Sequence, residues 1–233
     1  MLRSTALTSL ADLAEEQWGL FTRRQAEAAG MAWSTLSRLA ADEATVERVA
    51  HGVYRLRGAP PADHLDLRAA WLQLAPGTPV WERTPDTGVV SHRSAAALHG
   101  LGHLPADVHE FTLPARRQTR RPDVRLHRGH LAEADRTALH GLPVTRPART
   151  AADLLADRED PGAVAHVVAD ALRAGHDHPA TVTRALSPHA TRFGLRRGDG
   201  HALLRWLLDL TGAPEQQRWL DEATDPRGNT LPP

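Results

Sequence analysis

The sequence lacks two residue types on which many enzymes and secreted proteins depend. None of the 233 residues is a cysteine, and all 28 residues counted as lysine or arginine are arginine. The absence of cysteine excludes disulfides, thiolate zinc sites and cysteine nucleophiles. The absence of lysine excludes a P-loop phosphate lysine, a Schiff-base lysine and the lysine of the usual metal-dependent nuclease core.

Aromatic residues and long apolar runs are also scarce. Aromatic side chains make up 4% of the chain, which is a poor signal for RNA binding, because RNA-binding proteins stack bases on exposed rings. No stretch approaches the roughly 18 consecutive apolar residues of a membrane span. Acidic residues near the N-terminus interrupt any signal-peptide core. We therefore expect a cytoplasmic protein that makes no membrane contact.

The residues that are present are typical of a globular chain with more than one domain. Hydrophobic residues make up 41% and charged residues 24%. The formal net charge is zero, but residues 1–58 carry seven arginines and seven acidic residues, residues 59–150 carry twelve and nine, and residues 151–233 carry nine and twelve. Because no segment is strongly basic, the composition does not indicate indiscriminate nucleic-acid binding.

The N-terminal residues have the spacing of an amphipathic helix. Leu7, Leu10, Ala14 and Trp18 recur at helical intervals. Gly19 follows the last of these apolar residues, where a glycine suits a helix stop. We therefore predict that the first helix runs to Trp18.

Two more helices and a hairpin are predicted before residue 58. Thr22 and Gln25 have the spacing of a capping box at the start of a second helix, and Ser34 is the candidate N-cap of a third. Residues 45–49 and 53–57 are β-prone runs around a glycine-containing turn. This is the element order of a winged helix-turn-helix, in which the third helix enters the major groove and the hairpin lies against the DNA backbone.

This arrangement predicts which side chains face DNA. Arg38 is the side chain on the exposed face of the third helix that is able to make a bidentate contact with guanine. The arginines of the hairpin are candidates for phosphate contacts. The complete set of predicted DNA-binding residues is Thr22, Arg23, Arg24, Ser34, Thr35, Ser37, Arg38, Arg48, His51, Arg55 and Arg57.

Two questions about this N-terminal segment stay open at the level of sequence. A two-residue turn would place Arg48 directly opposite Arg55, where like charges destabilise a sheet, whereas a longer turn with a bulge would separate them. Asp42, Glu43 and Glu47 lie between the third helix and the hairpin. These acidic residues favour the alternative that the segment is a structural or protein-interaction module.

Residues 59–212 are predicted to form a mixed α/β domain that ends in a helical bundle, which makes the fold class α+β. Residues 59–61 are expected to be a linker, and residues 213–233, which are polar and acidic, a frayed tail with at most one turn around Trp219. The predicted helices lie at about 63–75, 91–100, 147–155, 161–175, 179–186 and 200–211, and the predicted strands at 108–113, 124–128 and 142–144.

The most basic segment, residues 111–130, spans two of these predicted strands. It holds six arginines and a single acidic residue, Asp123. The segment is a candidate for nucleic-acid contact, because each neutralised phosphate adds salt-dependent affinity. The alternatives are a solvated hairpin loop or a patch that docks on an acidic protein partner. The six arginines are Arg116, Arg117, Arg120, Arg121, Arg125 and Arg128.

No residue pattern indicates catalysis or a metal site. His99 with His103, His127 with His130, and residues 176–178 have ligand-like spacing, but such pairs arise by chance in a chain with 14 histidines. The chain contains no HExxH pattern, glycine-rich phosphate loop or GxSxG sequence. We therefore expect no catalytic residues, no metal and no cofactor.

Four strings between residues 51 and 155 resemble the AbiEi-type antitoxin family of bacterial toxin–antitoxin and phage-defence systems, and the resemblance covers about residues 1–211. They are HGVYRL (51–56), SHRSAAALHGL (91–101), VRLHRG (124–129) and GLPVTRPARTAADLL (141–155), and their order and spacing carry the resemblance. The resemblance implies an N-terminal winged helix that binds double-stranded operator DNA and represses its own operon. It also implies a C-terminal α/β domain that counteracts a cognate nucleotidyltransferase toxin encoded next to it.

The resemblance leaves the partners of the chain open in three respects. A palindromic operator requires two copies of the winged module, which either a homodimer or two monomers could supply. His51 stands where relatives often have arginine, which weakens the expected phosphate contact at the tip of the hairpin. A regulator without a toxin partner, or an interaction module that neutralises a partner directly, are the alternative functions.

Overall fold

The structure is a computed structural model that describes residues 2–42 and 44–224, with the backbone alone for residues 2–4. The chain divides into two compact units, and the division falls between Gly88 and Val89. Within the described ranges, no helix combines the length and the apolar character that crossing a bilayer requires.

The N-terminal unit combines helices with an antiparallel sheet. The sheet has the strand order β1-β3-β2, and its inner face packs on a core that includes Leu10, Phe21, Leu36 and Tyr54. The order of elements agrees with the predicted helix, strand, helix, helix and hairpin. These elements are α1 (Leu2–Glu15), β1 (Leu20–Thr22), α2 (Arg23–Ala28), α3 (Trp33–Asp42), β2 (Val46–Ala50), β3 (Val53–Leu56) and α4 (Leu65–Leu72), followed by 3-10 turns at Val80–Glu82 and Pro85–Thr87.

The first helix ends earlier than the apolar spacing predicts. Helix α1 stops at Glu15 instead of continuing to Trp18, which has a φ of 60°. The amide of Gly19 donates a hydrogen bond to the carbonyl of Ala14 (2.7 Å), and this backward bond closes the helix as C-terminal capping bonds do. Trp18 therefore leaves the helical stripe and packs edge-on against Trp71, with the ring centroids 6.2 Å apart.

The packing around Trp71 makes the first compact unit longer than the predicted domain of residues 1–58. Residues 59–88 were predicted to belong to the second domain, but they cluster with the first unit. The buried Trp71 indole N–H donates to the carbonyl of Gly88 (2.7 Å). Helix α4 packs against β2, so the chain that leaves the hairpin folds back onto the unit instead of linking it to the next one.

The C-terminal unit begins with a five-stranded mixed sheet of order β6-β5-β4-β8-β7. The pairs β5–β6 and β4–β8 are parallel, and the other two neighbouring pairs are antiparallel. The short strands β4 and β7 were not predicted. The elements are β4 (Val89–Val90), α5 (His92–His99), β5 (His109–Leu113), β6 (Val124–Arg128), a 3-10 turn at Glu133–Asp135, β7 (Arg136–Leu139) and β8 (Leu142–Thr145).

A helical bundle follows the sheet, which confirms the predicted α+β class and the predicted order of sheet and bundle. Proline occupies the first position of three of these helices, where its missing N–H has no partner to lose. The predicted stripe of Leu203, Leu204, Leu207 and Leu208 is buried in the core. The elements are α6 (Pro147–Ala156), α7 (Pro161–Arg173), α8 (Pro179–Leu186), a 3-10 segment at Ser187–Phe193, α9 (Gly200–Thr211) and α10 (Gln216–Thr224).

The prediction of a frayed tail from residue 213 is wrong for the residues that the structure describes. Helix α10 packs against α8 and α9, and Trp219 is 1% exposed. The segment is polar on average, but Trp219 and Leu220 together supply an apolar face large enough to bury. The remainder of the predicted tail, residues 225–233, lies outside the described residues.

Candidate nucleic-acid interface

The predicted capping box fixes the start of α2. The Thr22 hydroxyl accepts a hydrogen bond from the amide of Gln25 (3.2 Å), and the Gln25 side chain accepts one from the amide of Thr22 (2.8 Å). The side-chain amides of Gln25 and Gln17 also bond to each other (2.9 and 3.2 Å). Thr22 is fully buried, and its hydroxyl donates to the carbonyl of Pro76. The prediction of Thr22 as a DNA contact is therefore wrong, because its side chain is used inside the unit.

Helix α3 begins at Trp33, one residue before the predicted start at Ser34. The amides of Thr35 and Leu36 donate to the carbonyl of Ala32 (3.0 and 3.1 Å), so Trp33 is already helical. Ser34 consequently lies in the first turn of α3 instead of capping it. Leu36 is buried and anchors the helix to the core.

The outward face of α3 carries the side chains predicted to reach DNA. Ser34, Ser37 and Arg38 are exposed, and Thr35 is half-buried. Among the residues that the structure describes, Arg38 has neither an ion-pair partner nor a hydrogen-bond acceptor. Its guanidinium offers five N–H donors in a planar fork, which matches the O6 and N7 acceptors of guanine.

Arg23 joins three parts of this surface. Its guanidinium lies 4.2 Å from the centroid of the Trp33 ring, and its Nε donates to Glu27 (2.8 Å). Its backbone amide donates to the carbonyl of Gly52 in the hairpin turn (2.9 Å). The starts of α2 and α3 and the turn of the hairpin therefore meet at one residue. Trp33 was not among the predicted contacts, because the sequence placed it in a turn.

The hairpin formed by β2 and β3, called the wing below, contains a bulge that separates its arginines. Arg48 pairs with Tyr54, and Arg55 pairs with Glu47 across the sheet. Ala50 pairs with Val53, so the turn has two residues, but the register shift between Arg48 and Ala50 prevents the unfavourable Arg48–Arg55 pair. Arg55 donates instead to Glu47 (3.2 Å) and to the carbonyl of Ala59 (2.7 Å). Arg55 is thus engaged within the unit, which argues against its predicted phosphate contact.

The remaining predicted residues of the wing are exposed, as is Arg24 on α2. Arg48 and the Nδ1 atom of His51 are 3.2 Å apart at the tip of the wing. Arg57 lies 3.8 Å from Glu47, an exposed pair that contributes little to stability. The turn itself is held from behind, because the Gln73 side chain donates to the carbonyl of His51 (2.6 Å).

The basic segment of the C-terminal unit is not a hairpin loop. Strands β5 and β6 run parallel, with His109 opposite Val124 and Leu113 opposite Arg128. Residues 114–123 must therefore carry the chain from the end of β5 back to the end of the sheet at which β5 begins, which a hairpin turn does not do. This geometry excludes the hairpin but not a solvated loop, so contact with nucleic acid or with a protein partner stays a prediction.

Two of the six arginines of this segment donate to aspartate side chains. Arg121 donates to Asp123 (3.0 Å), and Arg125 donates to Asp157 (3.4 Å). The other four side chains are exposed, and they form the basic surface that the segment offers. These four are Arg116, Arg117, Arg120 and Arg128.

A buried polar cluster lies beside this segment in the C-terminal unit. The rings of His92 and His127 stack face to face, 3.5 Å apart and inclined by 13°. The Nε2 of His127 donates to the buried carboxylate of Glu110 (2.6 Å), and the Nδ1 of His92 lies 3.0 Å from the Ser91 hydroxyl. Burial, reinforced by the charges of His127 and two arginines, lowers the pKa of His92 to about 3.

The same cluster brings together three residues that could ligate a metal. One nitrogen of His92, one of His127 and a carboxylate oxygen of Asp157 all lie within 4.8 Å of one another. However, the lone pairs of stacked rings run parallel, whereas a single ion needs converging ligands, and Asp157 already accepts from Arg125. The geometry favours a hydrogen-bonded cluster. The sequence does not predict this cluster, because 35 positions separate the two histidines and no local spacing signals their contact.

Two family models match the chain, and their limits follow the fold. The model described as a transcriptional regulator, AbiEi antitoxin, matches residues 9–57. The model described as the AbiEi antitoxin C-terminal domain matches residues 88–199. The chain belongs to the AbiEi antitoxin family. This confirms the resemblance found in the sequence, and the second match begins where the second compact unit begins.

The AbiEi matches assign a broad role to each part of the chain. The regulator match covers most of α1 and continues to the end of the wing, and the antitoxin match covers the five-stranded sheet and helices α5 to α8. The polar cluster and the basic segment both lie within the antitoxin domain. No curated protein shows significant similarity to the chain.

Proposed function

We propose that this AbiEi family member is a sequence-specific DNA-binding repressor that regulates its own operon and counteracts a cognate nucleotidyltransferase toxin. It would act in the cytoplasm, where it is bound to operator DNA. The observation that carries the DNA-binding half is the exposed Arg38 on α3, which has no partner among the described residues, in a unit that matches the family's regulator domain.

The net charge of the N-terminal unit means that DNA affinity depends on the side chains of α2, α3 and the wing. Residues 1–88 contain nine arginines and eleven acidic residues, so the unit as a whole does not attract a polyanion. Affinity must therefore come from a small number of placed contacts. Arg38 is the side chain we propose for base readout, and Arg24 and Arg48 are those we propose for phosphate contacts.

Binding of the chain to the DNA upstream of its own gene tests this proposal. We expect Arg38→Ala to weaken binding by about 1–3 kcal/mol and to relax the preference at one base pair, because a bidentate contact with guanine is lost. Arg205→Ala is the matched control, since Arg205 is also an exposed helical arginine but lies on α9. A gel-shift titration over a set of singly substituted operators measures both effects.

The result that contradicts the proposal is equally specific. If Arg38→Ala and Arg205→Ala bind every operator with the same affinity as the unsubstituted chain, α3 does not read the major groove. A palindromic operator should also hold two copies of the chain with their half-sites about one helical turn apart. The mass of the complex measures this stoichiometry.

For the second half of the function, we propose that the exposed arginines of residues 114–121 dock on an acidic surface of the toxin. The segment lies within the part of the chain that matches the antitoxin domain. Arg116 and Arg120 are exposed and, in the described part of the chain, make no ion pair. Identification of a nucleotidyltransferase gene beside this one would favour an antitoxin over a regulator that acts alone.

A further inference from the structure

Trp33, the first residue of α3, is exposed although its burial would stabilise the unit. Its exposed fraction is 44%, and the other large hydrophobic residues that the structure describes as exposed are Trp81 and Leu210. Of these three, Trp33 alone lies on the element that carries the proposed base contacts. At this place the ring is able to contact whatever α3 binds, because the indole combines a large apolar surface with an N–H donor.

The position of Trp33 on the helix aligns it with the other contact residues. Residues four apart lie one above the other on a helix face, so Trp33 lies above Ser37, and Ser34 lies above Arg38. These four exposed side chains form one continuous strip. The N-terminal residues of a recognition helix are those that contact base edges, and Trp33 is the first of them.

The ring is held in place before any ligand arrives. The guanidinium of Arg23 covers one face of the indole at 4.2 Å, and Arg23 is itself fixed through Glu27 and through its amide bond to Gly52. A cation over a tryptophan ring is attracted by the ring's electron-rich face. Trp33 is still 44% exposed, and the indole N–H has no acceptor among the described residues.

We infer that Trp33 is a specificity-determining residue that reads a thymine in the major groove. The inference rests on the proposed DNA-binding function. A ligand that matches Trp33 must supply an apolar surface together with a hydrogen-bond acceptor. Among the four bases, thymine offers both on its major-groove edge, where the C5-methyl group lies beside the O4 acceptor.

Uracil-substituted operators test this inference, because replacing thymine with uracil removes the methyl group and leaves the base-pairing edge intact. Each thymine of the operator is replaced in turn, and each duplex is titrated with the unsubstituted chain and with Trp33→Ala. We expect one position at which uracil weakens binding by the unsubstituted chain about fourfold, the factor that corresponds to roughly 0.8 kcal/mol for one buried methyl-sized group. At that position Trp33→Ala should bind the two duplexes equally.

Two control variants separate this effect from general damage. Trp81→Ala removes an exposed tryptophan of the same unit, 57% exposed and remote from α3 in sequence, and should keep the fourfold uracil effect. Arg38→Ala should bind more weakly but keep the effect as well, because it reads a different base pair. The free energy of unfolding of Trp33→Ala should be close to that of the unsubstituted chain, since the ring is not part of the core.

The outcomes also separate the inference from the function beneath it. A uracil effect of equal size in Trp33→Ala and the unsubstituted chain would overturn the inference, as would an operator in which no thymine methyl group matters. In both cases the loss of binding by Arg38→Ala would still stand for the DNA-binding function. Failure of the unsubstituted chain to bind any upstream DNA would overturn both.

Discussion

His92 combines an unusual backbone with a buried, titratable ring. Its φ of 52° lies in the left-handed region, which few non-glycine residues adopt without cost. Its ring is buried under that of His127, where burial and nearby cationic groups hold its pKa at about 3. The fold therefore accommodates His92 only in its neutral form, and this makes the stability of the C-terminal unit depend on pH.

We expect the free energy of unfolding to fall as the pH is lowered from about 6.5 toward 3. In this window the unfolded chain binds a proton at His92 and the folded chain does not, so stability is present above pH 6.5 and is lost as the pH falls. A pKa displaced from 6.5 to about 3 corresponds to a loss of at most about 5 kcal/mol. Urea unfolding at a series of pH values measures this slope.

The matched variant for this test is His92→Asn. Asparagine tolerates a positive φ better than most residues, so it keeps the backbone and removes the titration. The variant should show a shallower decline in stability between pH 6.5 and 4 than the unsubstituted chain. An identical slope in both proteins would assign the acid sensitivity to other groups.

Single elements differ in how well the sequence predicts them. Helices α7 and α9 were predicted nearly to the residue, because their apolar residues repeat with the helical period over three turns. Strand β4 was missed, since two residues are too short to show alternation, and β7 was missed because Thr137 is its one β-branched residue and it has no aromatic one. In the candidate interface, the capping box at Thr22 followed from local spacing. The Arg23–Trp33 contact joins two helices, and no local spacing could have predicted it.

Helix α10 is the element for which the prediction and the structure differ most, and a pair of tryptophan variants tests it. Trp219→Ala should lower the free energy of unfolding by about 3–5 kcal/mol, because it removes a large side chain from a closed core and leaves a cavity. Trp81→Ala removes the same side chain from an exposed turn and should change stability by less than about 0.5 kcal/mol. Chemical denaturation of the two variants measures the difference. Equal effects would mean that α10 is not packed as described.

The two compact units have opposite charge balances. Residues 1–88 carry an excess of two acidic residues, and residues 89–233 carry nineteen arginines against seventeen acidic residues. The basic excess therefore belongs to the unit that matches the antitoxin domain, not to the one that matches the regulator. Local clusters decide where each unit is able to bind an anionic partner, and a net charge computed for the chain hides them.

Removing three of the exposed arginines of the basic segment tests which partner it serves. In the chain with Arg116→Gln, Arg117→Gln and Arg120→Gln, we expect operator affinity and its salt dependence to be unchanged and neutralisation of the toxin to be weakened. Arg121 is left in place because it is bonded to Asp123. Growth rescue on co-expression with the toxin and operator titrations at several salt concentrations measure the two properties.

A control with the same loss of charge elsewhere makes this test selective. Arg196→Gln, Arg197→Gln and Arg205→Gln remove three exposed arginines from the same unit and should leave neutralisation intact. If the first triple variant instead lowers the slope of log affinity against log salt by roughly 2–3 units, the segment follows a phosphate backbone. Its proposed role as a docking surface for the toxin would then be wrong.

The tip of the wing is tied to its own unit on two sides, through the amide of Arg23 and the side chain of Gln73. A hairpin anchored in this way has already lost its conformational freedom during folding, so meeting a duplex does not require that entropy to be given up again. Capture then resembles rigid docking, whose rate varies little among related surfaces. If the chain represses its operon as proposed, natural variation in this wing changes how long the chain stays on the operator, and hence the delay before transcription resumes.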